Sequence, residues 1–206
     1  MAPLPMFPLG MVLFPGAFLP LQVFEPRYRA LVHDCLAGTP EFGVVLIERG
    51  FEVGGGDSRF DVGCVARIVE VGELPGGRIA LASVGDRRVR VERWVDDDPY
   101  PRAEVLDWPD PPLAGGEGPR RDEVAAQLRR VLALASELGE PVPPVAALDV
   151  LDDALLASYQ LAALAPVGPL DRLALLASGS VHARFDLLSS LLVDVADVLA
   201  SRLGGG

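Results

Sequence analysis

A change of hydrophobic period marks the segment Phe18-Leu19-Pro20-Leu21-Gln22-Val23-Phe24-Glu25-Pro26-Arg27-Tyr28-Arg29. Its first seven residues alternate in character, which predicts a half-buried strand. Pro26 suits the first position of a helix, and the residues that follow place an apolar stripe at helical spacing: Tyr28, Leu31, Val32, Cys35 and Leu36. Gly38 is a natural end for that helix. A strand that passes directly into a helix predicts a mixed α+β fold.

The first half of the chain is predicted to be rich in β-strands, because short apolar runs alternate there with Gly and Pro. The turn Leu74-Pro75-Gly76-Gly77 joins two of these runs as a hairpin. Several short strands at this spacing favour a small barrel or a pair of packed sheets, interrupted by the single helix that begins at Pro26. The predicted strands are residues 4–7, 18–24, 43–48, 63–71, 78–84, 88–95 and 102–108.

The second half has helical periodicity throughout. Residues 111–119 are rich in Gly and Pro and predict a linker between residues 1–110 and a helical half at residues 120–206. The last predicted helix follows Ser180 as its cap and is apolar over most of its circumference, so we expect it at the centre of a bundle. The other predicted helices run over residues 120–138, from Asp149 as N-cap to Leu164, and from Pro169 to Ser178.

The charge of the chain argues against a nucleic-acid partner. The formal net charge is −11, both halves are acidic, and the sequence shows no cluster of basic and aromatic residues. No uninterrupted apolar run approaches the roughly 20 residues of a membrane helix. The first residues are apolar but contain four Pro and no basic region, so they do not form a signal peptide. We therefore expect a cytoplasmic protein without a membrane partner.

The sequence contains few of the residues that usually act in catalysis. All 18 basic residues are Arg, so the sequence lacks the Lys of a phosphate-binding loop or of a Ser–Lys dyad. Its two His and two Cys have no paired spacing typical of a zinc site, and we expect neither metal nor cofactor nor enzymatic activity. Cys35 and Cys64 are interpreted as buried thiols, with a disulfide as the alternative in an oxidising compartment.

Several motifs resemble the N-terminal substrate-binding domain of Lon proteases, whose opening follows a pattern close to "lPLFPL–VLFPG–LPLxIFExRYR". The matching segments in this chain are Leu4-Pro5-Met6-Phe7-Pro8-Leu9-Gly10, Val12-Leu13-Phe14-Pro15-Gly16, Leu19-Pro20-Leu21 and Val23-Phe24-Glu25-Pro26-Arg27-Tyr28-Arg29. Residues 42–46, 62–68, 85–91 and 99–105 are similar to later strands of the family. Val89 and Cys64 depart from it, because Phe and Thr are usual there, so the packing at both positions must differ.

The resemblance implies a β-rich, PUA-like pseudo-barrel followed by a helical bundle. It also implies a non-catalytic protein that binds unfolded or apolar polypeptide segments, in cooperation with a separate protease. A full-length Lon would continue into its ATPase and peptidase where this sequence stops, so a stand-alone relative is expected. The alternative function is a small-molecule or RNA-binding module, because PUA-like barrels elsewhere bind RNA.

The strand at residues 18–24 supplies the hypothetical binding surface. Leu19, Leu21 and Val23 suit a barrel interior, whereas the opposite face combines Phe18, Pro20, Gln22 and Phe24. Two aromatic rings, a proline and an amide are typical of an edge or groove that receives an apolar chain, and Phe14 and Pro15 extend the patch. The alternative is that the helical half covers these rings, since large apolar side chains are usually buried.

The motif around Glu25 has a structural interpretation. Between Phe24 and Pro26 its carboxylate is expected to be partly buried and paired, with Arg27, Arg87 or Arg88 as its partner and Tyr28 as part of the same motif. The alternative is a solvated carboxylate that interacts with the dipole at the start of the helix.

Overall fold

A computed structural model describes residues 3–49, 58–142 and 149–204. The fold is α+β, as predicted, and the chain divides into two units, Met1–Pro109 and Asp110–Gly206. In the first unit, residues 3–49 and 58–109 form one helix and the strands of a single mixed sheet. In chain order its elements are β1 (Leu4–Leu9), β2 (Phe18–Val23), α1 (Pro26–Ala37), β3 (Glu41–Arg49), β4 (Ser58–Leu74), β5 (Arg78–Val95) and β6 (Arg102–Asp107).

The sheet has six strands in the order β2-β5-β4-β3-β1-β6, and β5 also pairs with β6. This second pairing closes β5, β4, β3, β1 and β6 into a barrel, while β2 lies beside the first half of β5 and has a sheet neighbour on one side only. β1 runs parallel to β3, and the remaining pairs are antiparallel. The structure thus agrees with the expected pseudo-barrel.

The two strands predicted at residues 78–84 and 88–95 are one continuous strand, β5. Ala66 of β4 pairs with Gly85 and its neighbour Val65 pairs with Arg87, so Asp86 is an extra residue on β5. One extra residue in one strand is a β-bulge, which bends the strand without ending it. The segment between the two predicted strands is therefore the corner at which β5 changes direction.

The core of the first unit lies between the sheet and α1. As predicted, α1 has Pro26 in its first turn and ends at Gly38, whose N–H donates to the Asp34 carbonyl at 3.1 Å. The ring of Tyr28 stacks on Phe7 of β1 with centroids 4.0 Å apart and planes 9° from parallel. The residues of α1 that enter the core are Tyr28, Leu31, Val32 and Cys35, which are four of the five residues in the predicted stripe.

The segment between β1 and β2 corrects one prediction. Phe14 is 1% exposed and Pro15 is buried, so neither residue extends a surface patch. The backbone around them is fixed on the bulge: the Gly16 N–H donates to the Gly85 carbonyl at 2.8 Å, and the Gly85 N–H donates to the Ala17 carbonyl at 2.9 Å. A Cβ at Gly85 would lie 2.1 Å from the Phe14 carbonyl oxygen. This close approach presses the segment onto the sheet and buries both side chains.

The described residues of the second unit form four helices, and α5 packs against each of the other three. Ser180 caps α5 as predicted, since its Oγ accepts a hydrogen bond from the Ala183 N–H at 3.1 Å. Two boundaries differ: the first helix begins at Glu117, inside the predicted linker, and the N-cap of the second is Asp153 rather than Asp149. The Asp153 carboxylate accepts from the Leu156 N–H at 2.8 Å. The helices are α2 (Glu117–Glu137), α3 (Ala154–Leu164), α4 (Pro169–Leu176) and α5 (Val181–Gly204).

A buried arginine connects the helices of this unit. Arg184 of α5 is 0% exposed and donates to the Leu175 carbonyl, the Ser158 hydroxyl and the Asp110 carboxylate at 3.1, 2.8 and 2.8 Å. Its guanidinium also lies 4.0 Å from the ring centroid of Tyr159, whose hydroxyl donates to Asp110. A buried charge is tolerated when it is paired and fully hydrogen-bonded, so this network fixes the packing of α3, α4 and α5 around Asp110.

Replacement of Gly85 by Ala tests the contact on which the β1–β2 segment rests. The added methyl group would overlap the Phe14 carbonyl, and we expect Gly85→Ala to lower the free energy of unfolding by about 1–3 kcal/mol. Gly72→Ala is the matched control, because a Cβ there meets only the Ala80 Cβ at 3.9 Å. Urea denaturation of both variants measures the difference, and equal stability of the two would contradict the close approach of the Phe14 carbonyl to residue 85.

Candidate functional site

The two faces of β2 differ sharply in exposure. Leu19 and Val23 are buried in the core and Leu21 is half-buried, as the alternation predicts. On the opposite face Phe18 is 61% exposed and Phe24, just past the end of the strand, is 55% exposed. Pro20 and Gln22 lie between them and are also exposed. The described residues of the first unit therefore leave both rings uncovered, and cover by the helical half stays a prediction.

We call Phe18, Pro20, Gln22 and Phe24 the aromatic face. The residues of β5 that pair with this face have small side chains. Phe18 pairs with Val84, Pro20 with Ala82 and Gln22 with Ala80. Residues paired in an antiparallel sheet point to the same side, so these side chains continue the surface. A groove of about 480 Å³ lies there, with Gly72, Ala80 and Ala82 among the residues that line it and Glu70 at its side. Small residues beside protruding rings leave room for the side chains of a bound chain.

Pro20 also affects the open edge of β2. A proline donates no backbone hydrogen bond, and within a strand it is tolerated where the N–H would face away from the neighbouring strand. Pro20 pairs with Ala82 in an unbroken register, so its missing N–H belongs to the open edge. An edge interrupted in this way is a poor template for a further strand. The side chains of the aromatic face, more than the backbone of β2, therefore suit contact with a partner.

The corner between β2 and α1 is held by the predicted pairing of Glu25. Its carboxylate accepts from Arg27 Nε at 3.2 Å, and both side chains are largely buried. The Arg27 guanidinium lies 4.4 Å from the centroid of the Tyr28 ring, whose other neighbour is Phe7. Arg27, one of the three candidate partners, is thus in contact with Glu25. These residues fix the direction in which the chain leaves the aromatic face.

The other two candidate partners of Glu25 lie elsewhere on the sheet. Arg87 bonds Glu41, Asp86 and Asp107 at 3.0, 3.0 and 2.9 Å, and the hydrogen bond to Glu41 is the main reason that its pKa is raised. Arg87 thereby connects three strands, since these partners lie on β3, β5 and β6. The ion pairs of Arg87 thus hold these strands of the barrel together.

Arg88 belongs to a basic and aromatic cluster that sequence reasoning missed. Its guanidinium lies 4.5 Å from the centroid of the Trp108 ring, and that of Arg90 lies 3.9 Å from the same centroid. The sequence does show the alternate residues Arg88 and Arg90 on one strand, β5. Trp108, however, follows β6 and comes close to them because β6 pairs with β5, which the sequence alone does not show. The ring is already stacked with guanidinium groups of its own chain, so the cluster does not offer a bare ring to a nucleic-acid base.

A cavity of about 800 Å³ in the first unit is lined by several carboxylates. Most of them already have partners: Asp34 accepts from the Tyr100 hydroxyl at 2.7 Å, Glu41 and Asp107 accept from Arg87, and Glu104 bonds Arg93. The hydrogen bond from Tyr100 lowers the pKa of Asp34. The Cys35 thiol also lines the cavity, but it donates to the Glu41 carbonyl at 3.2 Å and burial raises its pKa, so it is not an activated nucleophile.

The remaining chemically active residues are dispersed. Cys35 and Cys64 are free thiols, both buried, and burial raises the pKa of each to about 12. Among the residues described, no three His, Cys, Asp or Glu side chains are grouped to hold a metal ion. Nor does that part of the chain contain a helix of the length and hydropathy needed to cross a membrane.

Comparison with known proteins identifies a family. The family model of the "ATP-dependent protease La (LON) substrate-binding domain" matches residues 3–194. The Lon protease of Roseiflexus castenholzii is 32% identical over 147 residues, which cover 70% of this chain and 18% of that protein. Lon protease 1 of Herpetosiphon aurantiacus is 27% identical over 199 residues, which cover 93% of this chain and 24% of that protein. The chain thus matches less than a quarter of the length of these relatives.

Solved structures show the same fold. The crystal structure of a Lon N-terminal domain protein from Xanthomonas campestris is 31% identical in sequence, with a TM-score of 0.68 over 92% of this chain and 98% of that one. The N-terminal domain of Mycobacterium avium complex Lon protease superposes with a TM-score of 0.69 over 94% of this chain and 99% of that one. Its sequence identity is 18%, so it supports the fold alone.

The two thiols provide a chemical test of the core. The thiolate is the reactive form of Cys, and a pKa of about 12 leaves almost none of it at pH 8. We expect the native protein to react very slowly with a chromogenic disulfide reagent at pH 8 and to release both thiols once it is unfolded in guanidinium chloride. Rapid modification of either cysteine in the native protein would contradict the described burial.

Proposed function

Since the chain belongs to the Lon substrate-binding domain family, we propose that it binds unfolded or apolar polypeptide segments through the aromatic face of β2. The observation that carries this proposal is the exposure of Phe18 and Phe24, at 61% and 55%, on one side of a strand whose other side is core. Folded proteins usually bury large aromatic side chains, and a group of exposed ones is typical of a binding surface.

The groove beside the aromatic face suggests how a segment binds. An apolar side chain placed over Ala80 and Ala82 removes its own surface and that of Pro20 from water, at about 25 cal/mol for each Å². The amide of Gln22 offers both a donor and an acceptor to the backbone of the bound chain. Such contacts do not depend on one residue type at each position, so the surface suits segments that share apolar character rather than a sequence.

We further propose that the protein is not catalytic and acts in the cytoplasm with a separate protease. The match is to a substrate-binding domain and not to a catalytic region, and the absence of Lys removes the usual phosphate-loop and dyad chemistry from this sequence. Two free buried cysteines are consistent with a reducing compartment. A bound segment would then be passed to an enzyme that supplies ATP hydrolysis and peptide cleavage.

Truncation of the exposed rings tests the surface. Phe18→Ala and Phe24→Ala remove most of the apolar area of the aromatic face, and we expect each to weaken binding of a fluorescently labelled, permanently unfolded protein by about tenfold. Because both rings are largely exposed, the free energy of unfolding should change by no more than about 0.5 kcal/mol. Fluorescence anisotropy measures the affinity, and urea denaturation measures the stability.

Leu36→Ala and Leu106→Ala are the matched controls for these two variants. Both leucines belong to the same unit, are 51% and 53% exposed, and lie outside β2. They should bind the unfolded protein as the parent does. If all four variants lose affinity equally, the binding is general hydrophobic adhesion, and the assignment to the aromatic face is wrong.

The absence of catalysis is tested separately. The purified chain should hydrolyse neither ATP nor casein, because no Lys is available to contact phosphates or to activate a serine. If either activity is observed, the residue suspected of causing it is replaced and the assay is repeated with that variant. Turnover that disappears when one of the chain's own residues is replaced would refute a purely binding role.

A further inference from the structure

The second half of α5 is only partly covered by its own unit. Val193 and Val198 are 50% and 60% exposed, although the helix was expected at the centre of a bundle. A groove of about 510 Å³ runs between α5 and residues 166–171, with Glu140 and the buried Leu199 also in its lining. The other α5 residues that line it are called the α5 stripe: Leu191, Asp194, Val195, Val198 and Arg202. Their spacing of three and four residues places them in one row along three turns. The row is apolar in its centre and charged at two points.

The two charges are symmetric about Val198. Asp194 lies one turn before Val198 and Arg202 one turn after it. Within the described part of the chain, Asp194 has no hydrogen-bond or ion-pair partner. Arg202 bonds Glu140 through Nη1, and its guanidinium has other N–H groups that can bond a second carboxylate. An occupant of the groove therefore needs a cation opposite Asp194, an apolar side chain opposite Val198 and an anion opposite Arg202.

We propose that this occupant is the α5 stripe of a second copy of the chain, antiparallel about a two-fold axis at Val198. In that arrangement Asp194 of each copy lies opposite Arg202 of the other, and the two Val198 side chains meet at the axis. A two-fold contact brings the same surface patch of the two copies together. The ion pair between Asp194 and Arg202 therefore forms twice in the dimer. The proposal involves residues of the second unit only, and its failure leaves the binding role of the aromatic face untouched.

The size of the stripe determines the kind of dimer. Three turns of helix span about 16 Å, so the contact is smaller than the roughly 800 Å² on each partner of a standard stable interface. The net charge of −11 also opposes association, although salt at physiological concentration screens charges beyond about 8 Å. The dimer is accordingly reversible, and its population rises with protein concentration.

A cysteine at the axis gives the most direct test. In Val198→Cys the two new thiols face each other, so mild oxidation should convert most of the protein into a covalent dimer. Val193→Cys is the matched control, because it replaces the same residue type with similar exposure on another face of the same helix. The native Cys35 and Cys64 are buried and do not compete. Equal cross-linking of the two variants would overturn the proposal.

Charge reversal tests the ion pairs. Asp194→Arg and Arg202→Asp each place like charges opposite one another twice, and each should raise the dimer dissociation constant in sedimentation velocity by at least about tenfold. A mixture of the two variants restores both pairs and should form a heterodimer as stable as the parent dimer. Circular dichroism confirms that each variant is folded. A parent protein that stays monomeric at every concentration, or a mixture that associates no better than its components, refutes the proposal.

Discussion

The contact between Gly85 and the segment before β2 determines which residues of that strand reach the surface. Two backbone hydrogen bonds join Gly85 to Gly16 and Ala17, and the Phe14 carbonyl occupies the place of a side chain at residue 85. From this contact β2 continues in an unbroken register, with Phe18 opposite Val84 and Leu19 opposite Ser83. A shift of one residue would exchange the two faces of the strand and bury the rings of the aromatic face. The exposure of the aromatic face thus depends on a backbone contact outside it.

The same contact explains the long strand that organises the first unit. β5 must bend to pair with β2 in its first half and with β6 in its second, and the bulge at Asp86 lies between these two pairings. Closing the barrel through β6 protects an edge that would otherwise be open. β2 is left with an open edge, which Pro20 interrupts. The unit consequently presents side chains, rather than a free backbone edge, to a partner.

Local patterns in the sequence predicted much of this fold, because strand and helix periods were clear in the segment around Pro26. The alternation of β2 placed Leu19 inside and Phe18 outside. The position of Glu25 predicted an ion pair with one of three Arg residues, and the structure shows one with Arg27. Phe14 and Pro15 were misplaced, because their burial depends on a contact with Gly85 seventy residues further along the chain. The stacking of Arg90 on Trp108 was missed for the same reason, since it requires the pairing of β5 with β6. The exposure of Val193 and Val198 on α5 was also missed, because periodicity shows which residues are apolar but not whether a neighbour covers them.

The central claim is that a polypeptide binds on the side of the sheet that carries the aromatic face. Titration of the isotope-labelled protein with a permanently unfolded polypeptide, followed by amide NMR spectra, tests this residue by residue. The account predicts that the largest shift changes occur at Phe18, Gln22 and Phe24 and at their neighbours Ala80 and Ala82. If the largest changes occur outside these residues, or if saturating polypeptide leaves them unchanged, the account is contradicted.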